Sequence, residues 1–191
     1  MRIALFGGSF NPPHVGHQLA ALYVLETAAV DELWLVPCFK HAFDKALEPF
    51  EDRFRMCELG AAALGPRARV SDVERDLGGE SRTLRTVRAL EARHAQHRFS
   101  VVIGADLVEE IDDWDGGEEL RREVPFIVVG RSGAAPPPPT AGGGPAVAMP
   151  AVSSTEIRQA LGAGKPVTGL VSRAVLDYIY GRGLYGARES E

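Results

Sequence analysis

Two histidines three residues apart, His14 and His17, close the segment Gly7-Gly-Ser-Phe-Asn-Pro-Pro-His-Val-Gly-His17. An apolar run, Ile3 to Phe6, precedes it, and an apolar-periodic stretch from Leu19 to Ala29 follows. Glycines at 7, 8 and 16 let backbone approach a ligand closely, since no side chain holds it away. A helix starting here aims its positive end and first amides at one point, which suits an anion. Imidazoles at 14 and 17 add side-chain donors, and together these groups form a phosphate site. The competing reading has both histidines merely capping or packing the turn. A metal reading needs a third ligand, and none stands nearby in the sequence. Neither Gly-x-Gly-x-x-Gly nor Gly-x4-Gly-Lys-Ser/Thr is present.

A second group with chemical potential is Val152-Ser-Ser-Thr-Glu-Ile-Arg158. Ser153 or Ser154 can cap a helix, and Ser153 stands three residues before Glu156 at capping-box spacing. One reading is a well-capped helix carrying a solvated arginine. In the other, Arg158 near the positive helix end shares an anion with the amides and a serine hydroxyl, which offsets the unfavourable dipole.

The frame that must position these groups is legible from apolar runs. Ile3–Phe6, Leu33–Val36, Phe99–Ile103 and Phe126–Val129 are continuous rather than alternating, as in parallel strands covered on both faces. Val70 and residues 146–149 are candidates for further short strands. Helical patterns lie between, at Val15–Ala29, Pro49–Leu64, Thr83–His94 and Glu118–Arg122. The alternation predicts an α/β fold, an open doubly wound parallel sheet with ligands beyond the carboxyl ends of its strands. Residues 133–145, rich in proline and glycine, read as a flexible surface loop. The stretch 152–185 reads as a small helical C-terminal part, with helices at Thr155–Leu161 and Val171–Tyr180 and a terminator at Gly181 and Gly183. At 191 residues the chain suits a single domain spanning 1–191.

Composition narrows the partners. A net charge of −5 argues against nonspecific nucleic-acid binding. Cys38 and Cys57 lack metal spacing and read as reduced thiols. With no signal peptide and no apolar run near the length of a membrane span, a cytoplasmic protein without membrane contact is expected.

Taken together, Gly-x-Phe-x-Pro-x-His-x-Gly-His and Ser-Ser-x-x-x-Arg resemble the nucleotidyltransferase superfamily, with its Rossmann-like fold. Within it the chain is similar to the bacterial nicotinate-nucleotide adenylyltransferases. Supporting segments follow in order: Ser81-Arg-Thr83, Ile103-Gly-Ala-Asp106 with Trp114 eight positions on, Val129-Gly-Arg131, and Gly183-Leu-Tyr185. The resemblance implies joining nicotinate mononucleotide to the α-phosphate of ATP with release of pyrophosphate, in NAD synthesis. It makes His14, His17 and Arg158 the catalytic set. His17 bonds the α-phosphate, His14 contacts the phosphates nearby, and Arg158 with Ser154 holds those that leave. Gly7, Gly8, Ser9, Phe10 and Gly16, with Ser153, Ser154 and Thr155, make up the ATP side. Lys45, Thr83, Asp106, Trp114 and Arg131 make up the acceptor side, where Trp114 stacks on the pyridine and Asp106 meets a ribose. Mg²⁺ arrives with ATP, with no metal ligand from the protein.

The chain departs from this pattern in two places. Where the family has Pro-Pro-His-Lys, it reads Pro37-Cys-Phe-Lys-His-Ala-Phe-Asp-Lys45, so Lys40, His41 or Lys45 supplies the charge, and Arg82 replaces the family's tyrosine. Acid and amide acceptors therefore both stay open. The alternatives are adenylyl or cytidylyl transfer to nicotinamide mononucleotide or phosphopantetheine, and a non-catalytic nucleotide-binding protein.

Overall fold

The computed structural model describes residues 1–40, 46–130 and 149–188. Its five strands are β1 (Arg2–Gly8), β2 (Glu32–Pro37), β3 (Ala68–Val70), β4 (Arg98–Gly104) and β5 (Phe126–Val129). All pair in parallel in the order β3-β2-β1-β4-β5, so the order reverses at β1. This is the doubly wound sheet expected from the apolar runs. Helices α1 (Val15–Thr27), α2 (Phe50–Ala62), α3 (Val73–Leu77), α4 (Thr83–Arg93), α5 (Gly117–Glu123), α6 (Ser154–Gly162) and α7 (Arg173–Arg182) complete it.

Alternation along the strands explains why both faces need covering. Ala4, Leu35 and Val102 pack with Ala21 and Val24 of α1 and Ala61 of α2. Ile3, Leu5 and Val101 turn the other way, onto Val73 of α3, Val87 and Leu90 of α4, and Leu120 of α5. A third cluster joins Ile157 and Leu161 of α6 to Val175 and Ile179 of α7, resting on Met56 of α2. Because α2 faces the sheet on one side and this cluster on the other, it couples the C-terminal helices to the strands. Asp52 of α2 accepts from the Tyr178 hydroxyl at 2.7 Å and from Arg182 Nε at 3.2 Å, both on α7, which reinforces the joint.

Some boundaries differ from the sequence reading. Helix α1 ends at Thr27, and α7 starts at Arg173 rather than Val171 and closes on Gly183 in a left-handed turn (φ 62°). Residues 133–145 lie outside the described residues, as do 146–148 of the suggested extra strand. The Met149 amide donates to the carbonyl of Gly130, just past β5, at 3.1 Å. Among the described residues no helix is long and apolar enough to cross a membrane.

Candidate active site

Beyond the carboxyl end of β1 the chain runs through Gly7 and Gly8 into a loop that returns as α1. Phe10 adopts a positive φ of 46°, an uncommon conformation for a residue with a Cβ. The conformation folds its ring back under the loop, edge-on to Phe6 at 5.8 Å and to His17 at 4.9 Å. Burial of that ring offsets the backbone strain. Gly8 leaves it room, since a Cβ there would stand 3.2 Å from the Phe10 ring. Nothing lies within 4 Å of the corresponding position on Gly7, which keeps that side of the strand end open.

His14 is the N-cap of α1 and its ring stacks on His17 at 3.7 Å. A Cβ on Gly16 would come within 3.1 Å of the His14 ring, so glycine gives the imidazole room to lie over the helix start. The His14 backbone N–H donates to His17 Nδ1 at 3.2 Å. With Nδ1 accepting, neutral His17 carries its proton on Nε2 and is a donor there. One feature of the helix start differs from the sequence reading. The Val15 amide donates to the Leu170 carbonyl at 2.9 Å, so this amide of the first turn serves the fold rather than a ligand.

The two sequence motifs meet in space. Arg158 Nη1 donates to the Asn11 carbonyl at 2.8 Å, and Ser154 Oγ donates to the neighbouring Pro12 carbonyl at 2.9 Å. Ser153, rather than Ser154, is the N-cap of α6, accepting the Glu156 amide at 3.5 Å. Arg158 Nη2 reaches Thr155 Oγ1 at 3.3 Å. A guanidinium has five N–H donors, so this arginine retains donors for an anion. The single proton of Ser154 is directed at Pro12, which makes that hydroxyl a tie between α6 and the loop.

Residues given no individual role in the sequence reading hold this junction. Asn11 Oδ1 accepts from the Glu48 amide at 3.2 Å and from the Tyr185 hydroxyl at 2.9 Å. Tyr185 itself sits at φ 58°, and burial, then the nearby Glu48 carboxylate, raises its phenol above the ordinary range. Arg53 of α2 is 1% exposed, and its guanidinium donates to the carbonyls of Glu48 (2.9 Å), Ser9 (2.9 Å) and Phe39 (3.2 Å). One buried cation thus fastens the loops after β1 and β2 together. A sequence signal for it existed: Arg53 shares the apolar face of its helix with Phe50, Met56 and Cys57. Asn11 and Tyr185 offered no such signal.

On the α3 and α4 side of the switch point lies a cleft of about 480 Å³, within the range of small-molecule sites. Gly7, Gly8 and Ser9 form one edge, Thr83 and Trp114 another, and Cys38 and Glu74 lie in its wall. Burial pushes the Cys38 thiol up, against a smaller downward pull from Arg53, so it stays protonated and apolar in character. Thr83 is the first residue of α4, with Arg82 as N-cap, so Thr83 is not itself the cap. Asp106 lies in the short turn Ala105–Leu107 after β4, exposed and not among the cleft-lining residues. Lys45, His41 and Arg131 fall outside the described residues. The structure thus gathers His14, His17, Ser154 and Arg158 around Asn11–Pro12, and sets Thr83 and Trp114 around the cleft.

Trp114 owes its place to a tight turn. Gly116 has φ 71°, and a Cβ on Gly117 would lie 1.8 Å from the Ile111 carbonyl oxygen. Gly117→Ala is therefore expected to destabilise the protein by ~1–3 kcal/mol, as overpacking does. Urea unfolding reads the loss, and equal stability would show that the turn is not constrained as described.

A doubly wound sheet with a histidine-bearing helix start at its switch point, tied to a distant serine and arginine, has the architecture of a nucleotidyltransferase. The chain belongs to the cytidylyltransferase-like family, whose model matches residues 5–160. Its relatives are more specific. A probable nicotinate-nucleotide adenylyltransferase of Anaeromyxobacter sp. (strain K) is 46% identical over 186 residues, 96% of each chain. One of the same name from Myxococcus xanthus (strain DK1622) is 40% identical, covering 100% of this chain and 97% of its own. In fold, the chain matches the Plasmodium falciparum nicotinic acid mononucleotide adenylyltransferase complexed with NaAD. That match has a TM-score of 0.80 at 22% identity, over 97% of both chains.

Proposed function

We propose that this protein transfers the adenylyl group of ATP to nicotinate mononucleotide, forming nicotinate adenine dinucleotide and pyrophosphate as a cytoplasmic step of NAD synthesis. The observation carrying this reading is the junction at Asn11–Pro12. There Ser154 and Arg158 bond to the backbone just before His14, on the same loop whose Gly7–Ser9 edge the cleft that Trp114 also lines. The names of the full-length relatives point to the same acceptor.

An oxygen of the mononucleotide 5′-phosphate attacks the α-phosphorus, and the bond from that phosphorus to the bridging oxygen breaks as pyrophosphate leaves. The attacking oxygen is already ionised, so no general base is required, and catalysis rests on alignment and charge stabilisation. His17 Nε2–H donates to the α-phosphate as negative charge accumulates, while His14 contacts the phosphates nearby. Arg158 takes the charge of the departing pyrophosphate. The backbone at Gly7–Phe10 lies along the nucleotides, and Trp114 stacks on the pyridine.

Nucleotidyltransferases of this kind generally use a divalent metal with ATP. Among the described residues no group of three or more His, Cys, Asp or Glu stands together to hold an ion. In this reading the ion arrives on the triphosphate with its own waters, a ligation that suits Mg²⁺. The metal neutralises phosphate charge when bound.

The deciding experiment supplies purified protein with ATP, Mg²⁺ and a panel of acceptors: nicotinate mononucleotide, nicotinamide mononucleotide and phosphopantetheine. Pyrophosphate release should be fastest with the acid. Turnover with neither pyridine mononucleotide would overturn the reading.

A further inference from the structure

Helix α3, only five residues long, sends one charged side chain into the wall of the cleft. Glu74 is 6% exposed, and its two carboxylate oxygens accept from the hydroxyls of Ser81 and Thr86. Ser81 in turn accepts the Phe39 amide at 2.9 Å, so the carboxylate is held from two sides. Hydroxyl donors occupy lone pairs but leave the net charge in place. Among the described residues no Lys, Arg or His forms an ion pair with Glu74. The nearby cations are engaged elsewhere: Arg75 with Asp72 and Glu51, Arg69 with Glu32, and Arg82, which also lines the cleft, with Glu80 and Asp115. A buried carboxylate without a counter-ion is expensive to maintain unless something else supplies the positive charge.

The acceptor assigned to this cleft has that charge. A pyridine ring bonded to ribose through its nitrogen is a cation, and it must leave water to enter an apolar cleft. Trp114 in the same lining offers an aromatic face, which also attracts cations. We propose that Glu74 is the counter-charge of the acceptor's pyridinium ring. It thereby makes the protein select N-ribosylated, cationic acceptors over acceptors with a neutral ring. The inference rests on the reading of the cleft as the mononucleotide site.

The test uses the full chain, saturating ATP and Mg²⁺, and two acceptors, nicotinate mononucleotide and its 1,4-dihydro form, whose ring is neutral. Wild-type protein should prefer the cationic ring by about tenfold or more in kcat/KM, as a charge pair in a partly desolvated site predicts. Glu74→Gln keeps the shape and removes the charge. It should raise KM for the cationic acceptor ~10-fold or more, leave KM for ATP within about twofold, and shrink the preference between the two rings. Ser81→Ala and Thr86→Val remove the hydroxyls but not the charge, and should retain the preference. If Glu74 served only to hold the turn before α4, these variants would mimic Glu74→Gln and both acceptors would suffer alike, which overturns the proposal. Parity between the two rings in the wild-type protein overturns it without any variant, should Glu74→Gln fail to fold. Absence of turnover with every pyridine mononucleotide removes the functional reading and this inference together, whereas turnover with an unaltered preference in Glu74→Gln removes only the inference.

Discussion

Replacing His17 with alanine is expected to lower turnover by about 10²–10³-fold, the usual loss when one transition-state donor is removed, with KM for ATP changed only a few-fold. The asymmetry follows from geometry. The His14 amide fixes His17 Nδ1 as acceptor, leaving Nε2–H as a preset donor that needs no reorganisation at the moment of reaction. Such a donor matters most when charge has accumulated on the α-phosphate, and matters less to ground-state binding. Phe10 packs edge-on against the ring at 4.9 Å, so the imidazole is held from below as well. Initial rates of pyrophosphate release across a range of ATP concentrations separate the two constants. A His17→Ala protein with near-normal turnover, or with its whole deficit in KM, would remove His17 from the chemical step.

Arg158→Ala should be comparably severe, lowering kcat/KM for ATP by about 10²-fold or more, because truncating one partner of a charge-assisted contact leaves the other unpaired. In the proposed reaction the variant would lose the cation for the pyrophosphate, and it loses the bond to the Asn11 carbonyl as well. Arg158→Lys tells these contributions apart. Lysine restores the charge but not the planar fork that reaches Asn11 and Thr155 at once, so recovery should be partial. Full recovery with lysine would mean that charge alone matters, and wild-type rates in Arg158→Ala would exclude the residue from the reaction.

Much of the fold was readable because its signals are local. The continuous apolar runs of β1, β2, β4 and β5 announce strands covered on both faces, and the doubly wound order follows from their alternation with helices. Helix α3 escaped because five residues complete barely more than one turn, too little for periodicity to register. β3 was reduced to Val70 for a similar reason, being three residues long at the sheet edge. The site divides in the same way. His14, His17, Ser154 and Arg158 could be singled out because they lie in short motifs of recognisable spacing, and the structure brings them together. The bonds of Asn11, Arg53, Glu74 and Tyr185 could not be, since they run to residues distant in sequence or to backbone carbonyls, which no local pattern encodes. Asp106 stands where its position after a strand suggested, on the exposed turn that follows β4, between the cleft-lining residues Gly104 and Leu107.

The bond between Tyr185 and Asn11 links parts of the chain 174 residues apart, and Arg158 grips the same Asn11 from α6. A residue shared in this way makes two equilibria one. Whatever affinity for ATP is gained by docking the segment around Tyr185 must be returned in kind, because coupling between two binding events is reciprocal. A nucleotide whose affinity depended on this turn would change the hold on residues 183–187 by the same factor. The last described turn of the chain thus stands to the loop after β1 as a second ligand would, tied to it through one shared asparagine.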